Sequence, residues 1–252
     1  MIVHGVHAVR EALAAEIPKV EKILIRRRSL NPRLQGIVQA ARRRGIPVEV
    51  EAVSRSSAAG RRQRHEEVSA RVSGAAPVPL ESILQQRPSL LLAVDGVQDP
   101  NNLGALLRTA EAVGVDGVLI PRRRSCSITS GVVSASAGAA LHLKICRISN
   151  LSRTLDQLKQ AGFWIVGLDP KGSTGLNQID TTLRLVVVVG GEHQGLRRLV
   201  RRQCDYLAAL PMQGRVASLN LSVAAGVLLY HISFGRAKQA PESGSASGPH
   251  DP

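Results

Sequence analysis

Aromatic residues are scarce: one Trp, two Tyr and two Phe make up 2% of the 252 residues. Reading RNA chiefly by stacking bases on exposed rings needs more of them, so that is excluded as the main mode of recognition. Cysteine is scarce too, and Cys126, Cys146 and Cys204 show neither CxxC spacing nor a histidine at ligand distance. No structural metal follows, and unpaired buried thiols in a reducing cytoplasm are the expected state. No apolar run is long enough to cross a bilayer; the longest, LLLAV and LVVVV, are strand-sized. The opening MIVHGVHAVREAL has no charged stretch followed by a sustained apolar one, so it does not read as a signal peptide.

Several nucleotide and hydrolase motifs are also missing. PKGSTG (170–175) has the wrong order for a P-loop. No strand runs into GxGxxG, which argues against a dinucleotide site and against the Gly-rich cofactor turn of Rossmann-like enzymes. No GxSxG elbow is present for a Ser-His-Asp hydrolase.

Acidic residues are the last shortage, with 19 Asp and Glu against 33 Lys and Arg, a net charge of +14. Residues 1–79 carry 15 Lys/Arg against 7 Asp/Glu, and residues 80–252 carry 18 against 12, so the first stretch is the more basic per residue. Arg26–Arg28, Arg42–Arg44, Arg61–Arg62 and Arg122–Arg124 are runs that suit either a solvated face or a phosphate-binding one. With so few rings, arginine–phosphate contacts would have to dominate any RNA binding.

Residues 1–73 read as a small α/β unit. The pattern predicts a helix over His4–Leu13, a strand over Val20–Ile25, a helix over Pro32–Arg44 stopped by Gly45, and a strand over Ile46–Val50. Ser54–Arg64 reads as a mobile Ser/Arg/Gly-rich loop, and residues 74–80 as a linker interrupted by Gly and Pro. Residues 81–236 then alternate apolar strands with helices, the rhythm of an α/β domain with a mostly parallel sheet. Strands are predicted at Leu90–Val94, Gly117–Ile120, Leu143–Cys146, Phe163–Gly167, Leu185–Val189 and Tyr206–Leu210. Helices are predicted at Leu103–Val113, Thr129–Ala139, Leu151–Ala161, Leu196–Gln203 and Ser218–Phe234. The tail, 237–252, is Pro/Ser/Gly-rich and expected to be disordered.

Three stretches could carry chemistry. In AVDGVQDPNNLGALLRTAEAVG (93–114) a strand turns into a helix near Asn102, which is either an N-cap or a working group. Arg108 points away from that helix's apolar face. In LVVVVGGEHQGLRRLV (185–200) a buried strand meets Gly190-Gly191 and Glu192, either an ordinary tight turn or a place where backbone approaches a ligand. In LPMQGRVASLNLSVAAGVLLYHI (210–232) a helix apolar nearly all round is expected to be buried, yet its start holds Ser218 and Asn220. Capping explains Ser218 more readily than Asn220.

In this order and spacing, the three stretches resemble the three motifs of the SpoU/TrmH branch of the SPOUT methyltransferases. The opening HGVHAVREAL is similar to the substrate-binding domain of its RlmB-like group. The resemblance covers most of residues 1–236. One departure is RHEEVSARV (64–72), where relatives carry an HQG-type turn before a Val-rich strand. The resemblance implies a deep trefoil knot in the second domain, a homodimer with sites at the interface, and S-adenosylmethionine as cofactor. It also implies 2′-O-methylation of an RNA ribose, foremost a guanosine of 23S rRNA. Methylation of tRNA or another rRNA nucleotide, as in antibiotic resistance, is the alternative, and a non-catalytic ribosome-assembly factor is the alternative of another class. Matched residue by residue, it places Gly190, Gly191, Leu210, Met212 and Leu219 at the cofactor and Asn102, Arg108, Glu192, Ser218 and Asn220 in the catalytic set.

Overall fold

Alternating burial organises the first sheet. In β4 (Val68–Val72) the side chains of Val68, Ala70 and Val72 are buried while Ser69 and Arg71 are not, the period of a half-covered strand. It pairs antiparallel with β1 (Ile2–His4) and with β2 (Val20–Arg26), and β2 pairs parallel with β3 (Val48–Glu51), giving the order β1-β4-β2-β3. Helices α1 (Val6–Ala14) and α2 (Pro32–Arg43) bury Val9, Ala12 and Leu13, and Leu34, Ile37 and Ala41. The computed structural model describes residues 1–15, 19–26, 31–51, 67–73, 77–216 and 218–239. The predicted loop at 54–64, part of the linker and nearly all of the tail lie outside them.

The second sheet has six strands, all parallel: β5 (Leu90–Asp95), β6 (Gly117–Pro121), β7 (Ile145–Ile148), β8 (Trp164–Leu168), β9 (Leu185–Gly190) and β10 (Tyr206–Ala208), in the order β10-β8-β9-β5-β6-β7. Both central strands, β5 and β9, are buried along their whole length, as apolar runs covered on two faces must be. Leu90, Leu92 and Val94 face one layer with α4 (Pro100–Ala112), α5 (Ser130–Ala135) and α8 (Leu221–Ala237). Leu91 and Ala93 face the other, with α3 (Leu80–Leu84), α6 (Leu151–Gln160) and α7 (Arg198–Gln203). The two sheets join: Glu11 on α1 pairs with His142 at 2.9 Å, and a Cβ at Gly138 would overlap the Glu11 side chain.

Several predicted bounds move. His4 closes a strand, and α1 starts only after Gly5 turns the chain at φ +92°. Strands β1 and β4 and helix α3 lie outside the elements the sequence pattern predicts. Helix α5 is shorter than predicted, followed by a 3-10 turn at Ala139–Leu141. Strand β7 begins two residues late, at Ile145, and β10 stops at Ala208. Ala237 still belongs to α8. That helix is not buried all round: Ala225, Leu228, Leu229 and Ile232 face the core, while Val223, Val227, Tyr230 and Phe234 are 43–61% exposed.

From the edge strand β10 the chain returns to pack α8 on α4. The 169–175 loop lies against β10, with Ala209 N–H donating to Thr174 O at 3.1 Å and Gly172 so close to the Leu207 carbonyl that a Cβ would overlap it. The guanidinium of Arg236 then clamps the end of α8, donating to Thr181 O (2.9 Å), Leu183 O (2.8 Å), Ser89 O (3.0 Å) and Ser89 Oγ (2.8 Å). Arg236→Met keeps the stem but strands these acceptors, and is expected to lower stability by about 2 kcal/mol. Urea unfolding followed by the fluorescence of the single Trp164, stacked on Tyr206 at the β8–β10 edge, measures it. An unshifted midpoint would show that the clamp is idle.

Candidate active site

Because every strand of the large sheet runs the same way, the loops after β5, β9 and β10 open on one edge, the usual place for a ligand in an open α/β sheet. Helix α4 begins earlier than its sequence suggests. Asp99 is the N-cap, accepting from Asn101 N at 2.9 Å, and Pro100 takes the first helical position. Asn102 is therefore not needed as a cap. Its Nδ2 donates to Glu192 Oε1 at 3.0 Å, and its Oδ1 accepts from Asn220 Nδ2 at 3.0 Å.

Asn220 caps α8, with Oδ1 accepting from Ser222 N at 2.9 Å and Ser222 Oγ at 2.6 Å. This reverses the expectation that Ser218 would cap: the helix starts later, and Asn220 stands where its first free N–H groups point. The direction of the amide chain is dictated from both ends. A carboxylate only accepts and a helix-start N–H only donates, so both amides must be oriented as they are.

The glycines of the β9 turn serve the protein's own packing. A Cβ at Gly190 would overlap the backbone of Gly195 and Leu196, and one at Gly191 would lie 2.6 Å from Gly96 O. The turn is also pinned by a pair that sequence reading missed. Asp95, at the end of β5 and 1% exposed, accepts from Arg197 N at 2.8 Å and from Arg197 Nε at 2.6 Å. An acid closing an otherwise apolar strand, LLLAVD, was the available signal.

The remaining candidates divide. Asn102, Glu192 and Asn220 come together. The side chains of Arg108 and Ser218 are exposed and, among the described residues, make no hydrogen bond or ion pair; Arg108 stands on α4 about 9 Å along the axis from Asn102. Leu210 is half-buried, while Met212 and Leu219 are 37% and 41% exposed. Among the described residues the main chain of 210–216 makes no hydrogen bond, leaving amides and carbonyls available beside these apolar side chains. Unpaired backbone groups next to an apolar rim suit an adenosyl compound held through main-chain contacts. The thiols offer no nucleophile: burial, then the neighbouring Asp205 charge, pushes Cys204 up to about 12, and burial raises Cys126 and Cys146.

A parallel α/β sheet with amide, carboxylate and open main chain at its carboxyl edge, preceded by a basic α/β unit, is the architecture of an α/β protein with a ligand site at the strand ends and a charge suited to an anionic partner. The chain belongs to the SpoU rRNA methylase family, which matches residues 89–230, and residues 2–78 match the RNA 2′-O ribose methyltransferase substrate-binding domain. It is 39% identical over 247 residues to the 23S rRNA (guanosine-2′-O-)-methyltransferase RlmB of Coxiella burnetii, covering 95% of this chain and 97% of that one. Its fold is similar to that of the SpoU methyltransferase AviRb of Streptomyces viridochromogenes bound to AdoMet, with TM-score 0.78, 23% identity, and coverage of 94% of this chain and 91% of that one. It is also similar to an AdoMet-bound rRNA methyltransferase of Sinorhizobium meliloti, with TM-score 0.73, 27% identity, and coverage of 92% and 85%.

Two substitutions separate structure from function at Asn220. Asn220→Ala removes cap and link together and should cost about 1 kcal/mol, whereas Asn220→Ser keeps a cap and should unfold close to wild type. Both lose the amide that reaches Asn102, so both should lose activity; full activity in Asn220→Ser would show that the link is idle. Asp95→Asn should destabilise by about 3 kcal/mol in chemical unfolding. That is the low end for a buried ion pair, since the Arg197 side chain is 39% exposed.

Proposed function

We propose that the protein is a cytoplasmic homodimer that transfers the methyl group of S-adenosylmethionine to a ribose 2′-hydroxyl of RNA, at a guanosine of 23S rRNA. The observation that carries the reading is the convergence of Glu192, Asn102 and Asn220 beside the open main chain of 210–216. The near full-length likeness to a relative named for that reaction supports the substrate.

S-adenosylmethionine, when bound, supplies a methyl group already activated on a sulfonium. Gly190, Gly191, Leu210, Met212 and Leu219 are the residues that would hold it, the last three through an apolar rim around unpaired backbone groups. The protein's work lies with the acceptor, since a ribose hydroxyl is a very weak acid. Arg108 is an exposed cation suited to binding the adjacent phosphate and orienting the hydroxyl; an arginine stays protonated and is a poor general base. Asn102 helps to set that geometry, Glu192 and Asn220 fix Asn102, and Ser218, which has no partner among the described residues, would order the cofactor loop once the cofactor is bound. Placement of the reactants supplies most of the rate.

The dimer rests on the exposed stripe of α8. Val223 (53%), Val227 (44%), Tyr230 (43%) and Phe234 (61%) recur at helical spacing on one face, an apolar patch that a second copy would cover. Arg108 stands apart from Asn102 within one chain, which accords with a site completed at that interface. We further assign residues 1–73 to substrate binding, 74–80 to a linker and 81–236 to the methyltransferase domain. The family likeness supports reading the return of the chain from β10 to α8 as a deep trefoil knot. Among the described residues no helix is long and apolar enough to cross a membrane.

Incubation with methyl-labelled S-adenosylmethionine and deproteinised rRNA or tRNA pools, followed by mapping of alkali-resistant sites, is expected to place one ribose mark on large-subunit rRNA. A mark on tRNA would change the substrate, and no transfer with no cofactor binding would leave a non-catalytic RNA-binding protein. Arg108→Ala should abolish transfer while S-adenosylmethionine binding, read by calorimetry, stays within a few-fold; lost cofactor binding would mean Arg108 is misplaced. Val227→Asp with Phe234→Asp should halve the mass in sedimentation, and an unchanged mass would remove α8 from the interface.

A further inference from the structure

Away from the active site, α1 and α2 enclose a groove of about 600 Å³ whose rim carries Arg10, Arg33, Arg43 and Arg44 and no acidic residue. All four arginines are exposed, and among the described residues none of their guanidiniums has a hydrogen-bond or ion-pair partner. We propose that this groove is where the protein grips the RNA sugar–phosphate backbone, with the four guanidiniums on phosphates and Gly36 at the groove floor admitting the strand. The inference rests on the reading of RNA as substrate and adds the surface that holds it.

Helix stability alone does not explain the arrangement. Arg43 lies in the last turn of α2, where a cation is favoured by the helix dipole. Arg33 lies in the first turn, where the same dipole disfavours it, and Arg10 comes from a different helix. Gly36 is a second, independent oddity. It sits in the interior of α2, where glycine is destabilising relative to alanine, yet a Cβ there would meet nothing within 4 Å. No packing in the protein calls for that glycine; a partner lying close on the helix does. From Arg33 to Arg43 the helix runs about 15 Å. A stacked strand carries one phosphate per roughly 3.4 Å of axis, so about four phosphates fit that length.

The chemistry of the partner follows from what surrounds the groove. Residues 1–79 hold no Phe, Tyr or Trp, so base stacking on rings has no means here and backbone charge remains. A neighbouring face of α1 is tied to the large domain through Glu11 and His142, so a strand held in the groove is held in a definite relation to the methyltransferase domain.

The test uses the full chain and deproteinised large-subunit rRNA, with affinity measured from 50 to 300 mM KCl. Changing Arg10, Arg33, Arg43 and Arg44 together to Gln should weaken binding at least tenfold at 100 mM salt and flatten the log–log salt slope by roughly three. S-adenosylmethionine binding should be unchanged. Arg71, Arg87, Arg153 and Lys238 changed to Gln remove the same charge elsewhere and should have a much smaller effect. Gly36→Gln should leave the thermal midpoint unchanged or higher while weakening RNA binding several-fold, a combination that a merely structural glycine does not give. Wild-type binding with an unchanged slope in the four-arginine variant overturns the groove alone, as does an equal loss in the control variant. Competition by polyglutamate as strong as by RNA would give the groove to an acidic protein segment and overturn the proposal. No wild-type binding to any RNA would instead overturn the RNA-substrate reading itself.

Discussion

Three segments far apart in the chain meet at the carboxyl edge of the parallel sheet, and two amide hydrogen bonds hold them in register. Glu192 follows β9, Asn102 lies in the first turn of α4, and Asn220 caps α8, with both links at 3.0 Å. Each bond spans about a hundred residues of sequence, so neither survives unless the whole sheet is assembled. The arrangement is directional, with a carboxylate at one end and helix N–H groups at the other. Replacing either amide by a residue with only one polar function breaks the chain at one side or the other.

Beneath that chain the backbone leaves almost no slack. Gly190 and Gly191 are glycines because Gly195, Leu196 and Gly96 occupy the space a side chain would take. The buried Asp95 carboxylate fixes the same turn through Arg197. Packing and charge therefore fix the loop that carries Glu192, while among the described residues the main chain of 210–216, which follows β10, makes no hydrogen bond. A pinned turn and open backbone at the same edge of one parallel sheet can accept a ligand with little prior rearrangement.

Much of this is legible in the sequence, for identifiable reasons. Strands β5 and β9 are apolar at every position because both faces are covered, and a run such as LVVVV admits little else. Helix α4 starts a few residues before its sequence suggests because Asp99 and Asn102 are both credible caps, and Pro100 at the first helical position decides between them. The apolar circumference of α8 implies burial all round, yet half of it faces outward; sequence does not distinguish a core face from one kept for a partner. Strand β4 alternates buried and open positions in VSARV, but the charge of its flanks hid the period. Asp95 and Arg197 sit in different motifs, and only the fold brings them together. What remained unreadable was pairing across distance, which no local pattern encodes.

The most direct test of this architecture is amide hydrogen exchange of the full chain with and without S-adenosylmethionine, in wild type and in Asn102→Ala. In the wild type, added cofactor should slow exchange together in 96–102, 190–197 and 209–220. In Asn102→Ala the protection should no longer be shared among the three. Protection confined to a single segment in the wild type, or shared equally in the variant, would contradict a site held together through Asn102.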